Sequence, residues 1–173
     1  MYNIQIMKII IGLCGVARSG KDTFFKIAQS LLEKSTQLKC KQSSFAHALR
    51  NEMCETLLTN FKINPWTCTS QEKEIIRPLM VAWAIARRQQ AANYWIDKIK
   101  EQLDTEHYIH FITDVRYKNE IDFIHENNGY CIYLQRMTDV GVMSPANSEE
   151  LNNTVPLQNL CDVSVAWRDI ANY

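Results

Sequence analysis

A glycine-bearing turn between a strand and a helix constrains this chain more than any other feature. Residues 9–13 are an apolar run typical of a buried strand, and Gly15-Val-Ala-Arg-Ser-Gly-Lys-Asp-Thr23 follows and opens a helical pattern. Glycines let the backbone turn so tightly that successive N–H groups point into one concavity, which the N-terminus of the next helix makes favourable for an anion. The turn therefore predicts a phosphate-binding loop.

The loop departs from the usual P-loop pattern at one position. Gly15, Gly20 and Lys21 satisfy the rule GxxxxGK[ST], but Asp22 occupies the hydroxyl position and Thr23 supplies a hydroxyl one residue later. In the usual loop that hydroxyl binds Mg²⁺. Here Asp22, directly or through water, or Thr23 would take this role, and the sequence leaves both open.

Composition restricts the ligands to small molecules. Nineteen basic residues balance nineteen acidic ones, so the chain has no overall field for a nucleic acid polymer or an anionic membrane. No apolar run approaches the ~20 residues that a membrane span needs. The six cysteines show no CxxC and no paired histidine spacing, which argues against a zinc site and a secreted disulfide framework. We therefore expect a single cytoplasmic domain over residues 1–173.

Strand and helix patterns alternate, which predicts an α/β fold with a five-stranded parallel sheet and helices on both faces, in three layers. The predicted strands are 8–13, 39–45, 108–113, 130–135 and 163–167, and the predicted helices are 22–34, 46–61, 70–88, 93–103 and 118–128. Pro78 predicts a restart or a kink in the third helix. Residues 137–153 are rich in Ser, Asn and Gly, which is typical of a mobile, lid-like cover.

Ligands of an open parallel sheet lie beyond the carboxyl ends of its strands. Residues 15–22, 45–50 and 114–120 follow the first three predicted strands, so we expect them to meet at one crevice. Asp114 ends its strand where a P-loop enzyme often has a second carboxylate near Mg²⁺. The spacing of Asp114, Arg116 and Glu120 also fits a helix cap with a surface ion pair, and both interpretations stay open.

Cations near the predicted crevice suit a site that joins two phosphorylated molecules. They are Arg18, Arg50, Arg77 and Arg116. Taken singly, each also fits a solvated surface position, which is the position expected for Arg87 and Arg88. Phe45 and Trp95 could stack on a base, although a core position is the stronger expectation for both. The histidines at 107, 110 and 125 lack a carboxylate or cysteine at metal spacing and are expected to be structural or exposed.

Five segments in order, GVARSGKDT, SFAHALR, RPLM, NYW and TDVRYKNE, together resemble the bacteriophage-type deoxynucleoside monophosphate kinases over most of the chain. The first and last are specific as a pair. The resemblance implies the nucleoside monophosphate kinase type of P-loop fold. It also implies transfer of the γ-phosphoryl group of ATP, with Mg²⁺, to a deoxynucleoside monophosphate (dNMP), in the host cytoplasm if the source is viral. A homodimer is compatible with it.

The resemblance also implies roles for individual residues. The ATP-binding set is Gly15, Ala17, Arg18, Ser19, Gly20, Lys21, Asp22 and Thr23, with Mg²⁺ at Asp22 or Thr23. The set around the monophosphate is Phe45, Leu49, Arg50, Arg77, Trp95, Asp114, Arg116 and Glu120. Lys21, Arg18 and Arg116 would stabilise the transferred group. Phosphoryl transfer depends on in-line positioning and charge neutralisation, which these residue types supply.

Two departures leave the preferred base open. Ala84-Ile85 replaces a Gly-Thr pair of the family, and Ala146-Asn147-Ser148-Glu149 replaces a His-x-Ser-Glu segment. Phosphomevalonate kinases are a rival, because they share an SGKD loop and a similar Asp-x-Arg segment. The aromatic and Asn-rich environment here looks less suited to a mevalonate chain. A nucleotide-binding regulator that kept the loop and lost turnover is a second rival.

Overall fold

The computed structural model describes residues 8–36, 38–103, 109–145, 148 and 150–168. Within them the chain forms two units. The first contains the described residues up to Ser43 and from Leu103 onward, and the second is Ser44–Gln102. Among the described residues, no helix is long and apolar enough to cross a membrane.

A mixed sheet forms the centre of the first unit. Its strands are β1 (Ile9–Cys14), β2 (Cys40–Ser43), β3 (Ile109–Val115), β4 (Tyr130–Thr138), β5 (Gly141–Val142) and β6 (Val163–Arg168). The order is β2-β3-β1-β4, and both β5 and β6 pair with β4. All pairings are parallel except that of β4 with β5.

The prediction of a purely parallel sheet is therefore wrong in one respect. Five described strands are parallel, as expected, but β5 is a sixth strand and runs antiparallel. The chain reverses direction through two residues after β4 ends at Thr138, and this reversal produces β5. Gly141, with φ of 117°, tolerates the tight turn. Two residues are too short to show the alternating pattern that predicts a strand.

The helices are α1 (Lys21–Thr36), α2 (Phe45–Phe61), α3 (Ser70–Gln90), α4 (Tyr94–Lys100) and α5 (Lys118–Glu126). In the first unit, α1 and α5 cover opposite faces of the sheet. The contacts of Gly12 and Leu13 show this, because successive residues of a strand point to opposite faces. Leu13 and Phe111 pack with Phe25 of α1. On the other face, a Cβ at Gly12 would lie 2.5 Å from Ile124 of α5. This arrangement agrees with the predicted three layers.

In the second unit, α2 and α3 enclose a separate core of Met53, Leu57, Ile63 and Ile76. The helix predicted over 70–88 begins at Ser70, and Thr69 caps it through a capping box with Glu72. Pro78 lies inside a continuous α3, so of the two predicted alternatives the restart does not occur. The kink stays a prediction.

The segment predicted as a lid, residues 137–153, contains β5 and ends in a short π-helical turn, Glu150–Thr154. A 3₁₀ helix, Val155–Leu160, continues to Cys161. The sequence predicted neither turn. Ala146, Asn147 and Glu149 lie outside the described residues, as do His107 and Tyr108. Movement of this segment stays a prediction.

Candidate functional site

The loop between β1 and α1 has a backbone that its glycines alone permit. Gly15 and Gly20 have φ of 132° and 93°, a region that other residues rarely adopt. A Cβ at Gly15 would lie 2.4 Å from the carbonyl oxygen of Leu134. Arg18, exposed at the turn, also has a positive φ of 61°. The spacing that predicted the loop thus corresponds to real steric limits.

Trp167 of β6 supports this loop from the other end of the chain. Its indole Nε1 donates to the backbone oxygen of Ser19 at 2.8 Å. A Cβ at Gly20 would lie 1.9 Å from the same indole ring, so Gly20 is needed for this packing. The Arg136 guanidinium lies 5.7 Å from the indole centroid. The last described strand therefore helps to fix the shape of the loop.

The Lys21 ammonium lies back over the loop. Its Nζ donates to the carbonyl oxygens of Gly15 at 2.7 Å and Val16 at 2.8 Å, and to Ser19 Oγ at 3.3 Å. Burial lowers the pKa of Lys21 from 10.5 to about 8, and repulsion from Arg116 is the second cause of this decrease. The loop therefore holds the ammonium of Lys21 in a fixed position.

Glu150 is a site residue that the sequence did not reveal. It is 3% exposed, and its Oε1 accepts a hydrogen bond from the Ala17 N–H at 2.9 Å. Arg116 Nη1 lies 3.5 Å from the same oxygen. Its charge also acts on Lys21 to raise the pKa, against the larger effect of burial. An acidic pair at 149–150 was the only local signal, and it gave no reason to place a carboxylate at the loop.

The two metal candidates, Asp22 and Thr23, begin α1 and are both exposed. Gln42 of β2 orients the first, because its amide nitrogen donates to Asp22 Oδ1 at 3.0 Å and to Thr113 Oγ1 at 3.0 Å. Both candidates offer the oxygen ligands that Mg²⁺ prefers, so the residues present fit this ion. The choice between them stays open.

The end of β3 contributes Asp114 and Arg116 to the same cluster as Lys21 and Glu150, as their electrostatic interactions with Lys21 indicate. Glu120 has a different position. It is 2% exposed, and its Oε2 accepts from the backbone N–H groups of Arg116 at 2.7 Å and Tyr117 at 3.2 Å. Glu120 therefore caps α5 and orients the Arg116 backbone, while its predicted contact with substrate stays a prediction.

The other predicted substrate residues belong to the second unit. Phe45 and Trp95 are buried, the indole of Trp95 donating to the Ala84 oxygen at 3.1 Å. Leu49 packs on the core of that unit. Arg50 lies 5.4 Å from the Trp66 ring, and Arg77 forms an exposed ion pair with Glu74 at 3.2 Å. Their predicted convergence with the loop stays a prediction.

The predicted position of Arg87, a residue of the second unit, is wrong. It was expected to be a solvated surface residue, but it forms a half-buried ion pair with Glu52. Its guanidinium also lies 5.0 Å from the ring centroids of both Trp83 and Tyr94. Arg87 therefore links two helices of this unit, a role that no local pattern indicates.

Cys14 immediately precedes the loop and lies inside the first unit. Its thiol forms hydrogen bonds with Cys131 and Cys161, which together with burial raise the pKa of Cys14. The neighbouring thiol lowers the pKa of Cys161, because it donates to that sulfur. The loop is thus preceded by a neutral, buried thiol.

The loop between β1 and α1, with a lysine, an arginine and two carboxylates around it, has the form of the nucleotide-phosphate loop of P-loop proteins. A family model of phosphomevalonate kinase matches residues 13–130, which include the loop, β3 and α5. The chain belongs to the phosphomevalonate kinase family. The specific resemblance to phage-type dNMP kinases stays a prediction.

Comparisons with individual proteins add little. A comparison with curated proteins gives no match. A solved structure titled "Crystal structure of APE1195" is 17% identical and covers 73% of this chain, with a TM-score of 0.33. The match spans 60% of that protein's chain. At this TM-score the likeness supports no conclusion about the present protein.

Proposed function

We propose that this protein transfers the γ-phosphoryl group of ATP to the phosphate of a small phosphorylated metabolite. One observation carries the proposal: the Glu150 carboxylate accepts a hydrogen bond from the loop N–H of Ala17 and also lies beside the Arg116 guanidinium. The loop thus already binds an anion, and its backbone donor and cation suit a phosphate oxygen equally well. In this proposal the ATP polyphosphate takes the place of Glu150.

The charges around the loop suit transfer between two phosphates. Lys21 and Arg116 would neutralise charge on the transferred group, and the loop amides would orient the polyphosphate. Asp22 or Thr23 would hold Mg²⁺, which offsets the charge of the β- and γ-phosphates. Asp114 lies close enough to Lys21 to stabilise its charged form. No covalent intermediate with the protein is required.

The acceptor is a phosphomonoester in both leading versions of this proposal. Membership of the phosphomevalonate kinase family favours a phosphorylated small alcohol such as phosphomevalonate. The loop and the segment from Asp114 to Glu120 are compatible with it, since in this proposal they would contact phosphate and not the remainder of the acceptor.

The sequence resemblance to dNMP kinases makes a dNMP the second candidate acceptor. Like phosphomevalonate, a dNMP would present a phosphomonoester to the loop, so the two candidates differ only in the part of the acceptor beyond its phosphate.

An acceptor panel tests the proposal. Purified protein with ATP and Mg²⁺ is supplied with phosphomevalonate or with each of the four dNMPs, and ADP and the diphosphate product are measured. We expect turnover with one acceptor class, at a rate at least tenfold above ATP hydrolysis without acceptor. ATP binding with no transfer to any acceptor would contradict the proposal and favour the nucleotide-binding regulator.

The pH profile of the same reaction gives a further prediction. Burial and Arg116 hold the pKa of Lys21 at about 8, whereas Glu150, Asp114 and Asp22 oppose them. The charged form of Lys21 therefore predominates below about pH 8 and is lost above it, so kcat/KM for ATP should fall as pH rises through that value. This quantity reports groups of the free enzyme. A profile that is flat from pH 7 to 9.5 would contradict the assignment.

A further inference from the structure

A second cluster of reactive side chains lies in the first unit, apart from the residues assigned to phosphate binding. It consists of His125 in the last turn of α5, Cys131 in β4, and Asp162 just before β6. Their ligand atoms all lie within 4.8 Å of one another. His125 Nε2 and Asp162 Oδ2 are 3.0 Å apart. The fold thus brings an imidazole, a thiol and a carboxylate to one point.

These separations suit a small tetrahedral cation. Zinc binds nitrogen and oxygen at about 2.0–2.2 Å and sulfur at about 2.3 Å, so neighbouring ligand atoms around it lie roughly 3.3–3.8 Å apart. The side chains already lie at or near this spacing, and adjustments of about 1 Å would complete it. His125 and Asp162 have side chains 38% exposed, which leaves solvent access for entry of an ion and for a bound water.

The surroundings orient the ligands in advance. Asp162 Oδ2 accepts from the backbone N–H of Cys131 at 2.7 Å, which holds the carboxylate beside the cysteine. Such partners fix first ligands and strengthen metal binding. All three ligands are carried by, or adjoin, regular elements, and β4 pairs in parallel with β6.

We propose that His125, Cys131 and Asp162 form a Zn²⁺ site with water as the fourth ligand. A thiolate and an imidazole favour zinc over Mg²⁺ or Ca²⁺, which prefer all-oxygen ligands. The bound ion would connect the end of α5, the start of β4 and the turn before β6. This site is independent of the phosphotransferase proposal, because it shares no residue with the loop.

Zinc binding to the whole chain tests this directly. The protein is treated with chelator, kept reduced, and titrated with ZnCl₂ against a competing chelator of known affinity. We expect one Zn²⁺ per chain, and a rise in thermal midpoint on binding. Co²⁺ in its place should give the absorption of thiolate-bound, four-coordinate cobalt. No stoichiometric binding by the wild-type protein would overturn the proposal.

Variants locate the site. His125→Ala and Asp162→Asn, both at partly exposed positions, should each weaken zinc binding by about 100-fold or more, and Cys131→Ser should remove the thiolate–cobalt band. His47→Ala and Cys54→Ser, the same residue types in the second unit, should leave binding unchanged. Loss of binding in Cys161→Ser with full binding in His125→Ala would overturn this ligand set.

Discussion

Lys21→Ala is expected to lower kcat/KM for phosphoryl transfer by about a hundredfold to a thousandfold, on the scale seen when one preorganised transition-state donor is removed. The ammonium is held by two loop carbonyls and Ser19 Oγ, so it is positioned before nucleotide binds. No other lysine lies in the described loop. Preorganised charge of this kind acts mainly on the transition state, so kcat should fall more than KM rises.

The variant should remain folded, which separates this effect from instability. Burial already disfavours the charged form of Lys21, as its lowered pKa indicates, so removing the side chain takes away an unfavourable buried charge. Lys26→Ala, an exposed lysine on the same helix, is the matched control and should keep full activity. Retention of more than a tenth of wild-type activity by Lys21→Ala would contradict the assigned role.

The tight glycine-bearing turn between β1 and α1 could be predicted because its determinants are local. Gly15, Gly20 and Lys21 lie within seven consecutive positions, and each is required by the backbone of that turn. The parallel strands were predictable for a similar reason, since apolar runs followed by helical periods favour βαβ units. In both cases the information lies within one segment of the chain.

Long-range contacts at the same site could not be predicted. Glu150 meets the loop across 133 positions of sequence and Trp167 across 148. Neither residue has a periodic or motif context that distinguishes it from a surface acid or a core aromatic. Their positions depend on the path of the chain after β4, where a two-residue antiparallel strand and two short irregular helices follow one another.

The His125, Cys131 and Asp162 cluster illustrates the same limit. The histidines were expected to be structural or exposed, because no cysteine or carboxylate stands at metal spacing beside them. His125 and Asp162 are 37 positions apart, and the parallel pairing of β4 with β6 places Asp162 beside Cys131 at the start of β4. Chain spacing identifies a metal site when one short segment supplies several ligands, and here each ligand comes from a different segment.

Gly15→Ala is expected to destabilise the protein by about 3 kcal/mol or more, combining about 1–3 kcal/mol of backbone strain with a similar cost of overpacking. Its φ of 132° is unfavourable for alanine, and the added Cβ would lie 2.4 Å from the Leu134 carbonyl oxygen. That oxygen belongs to the backbone of β4, so it cannot rotate away as a flexible side chain would. Urea unfolding followed by circular dichroism measures the change.

Gly141→Ala separates the two contributions. Gly141 has a similar φ of 117°, but a Cβ there would meet nothing within 4 Å. It should therefore cost only the strain, about 1–3 kcal/mol. The difference between the variants measures how tightly the loop packs on β4, and equal losses would show that Leu134 yields freely. A large difference would mean that β4 and the loop form one rigid support, so that Gly15→Ala also weakens ATP binding while Gly141→Ala leaves it unchanged.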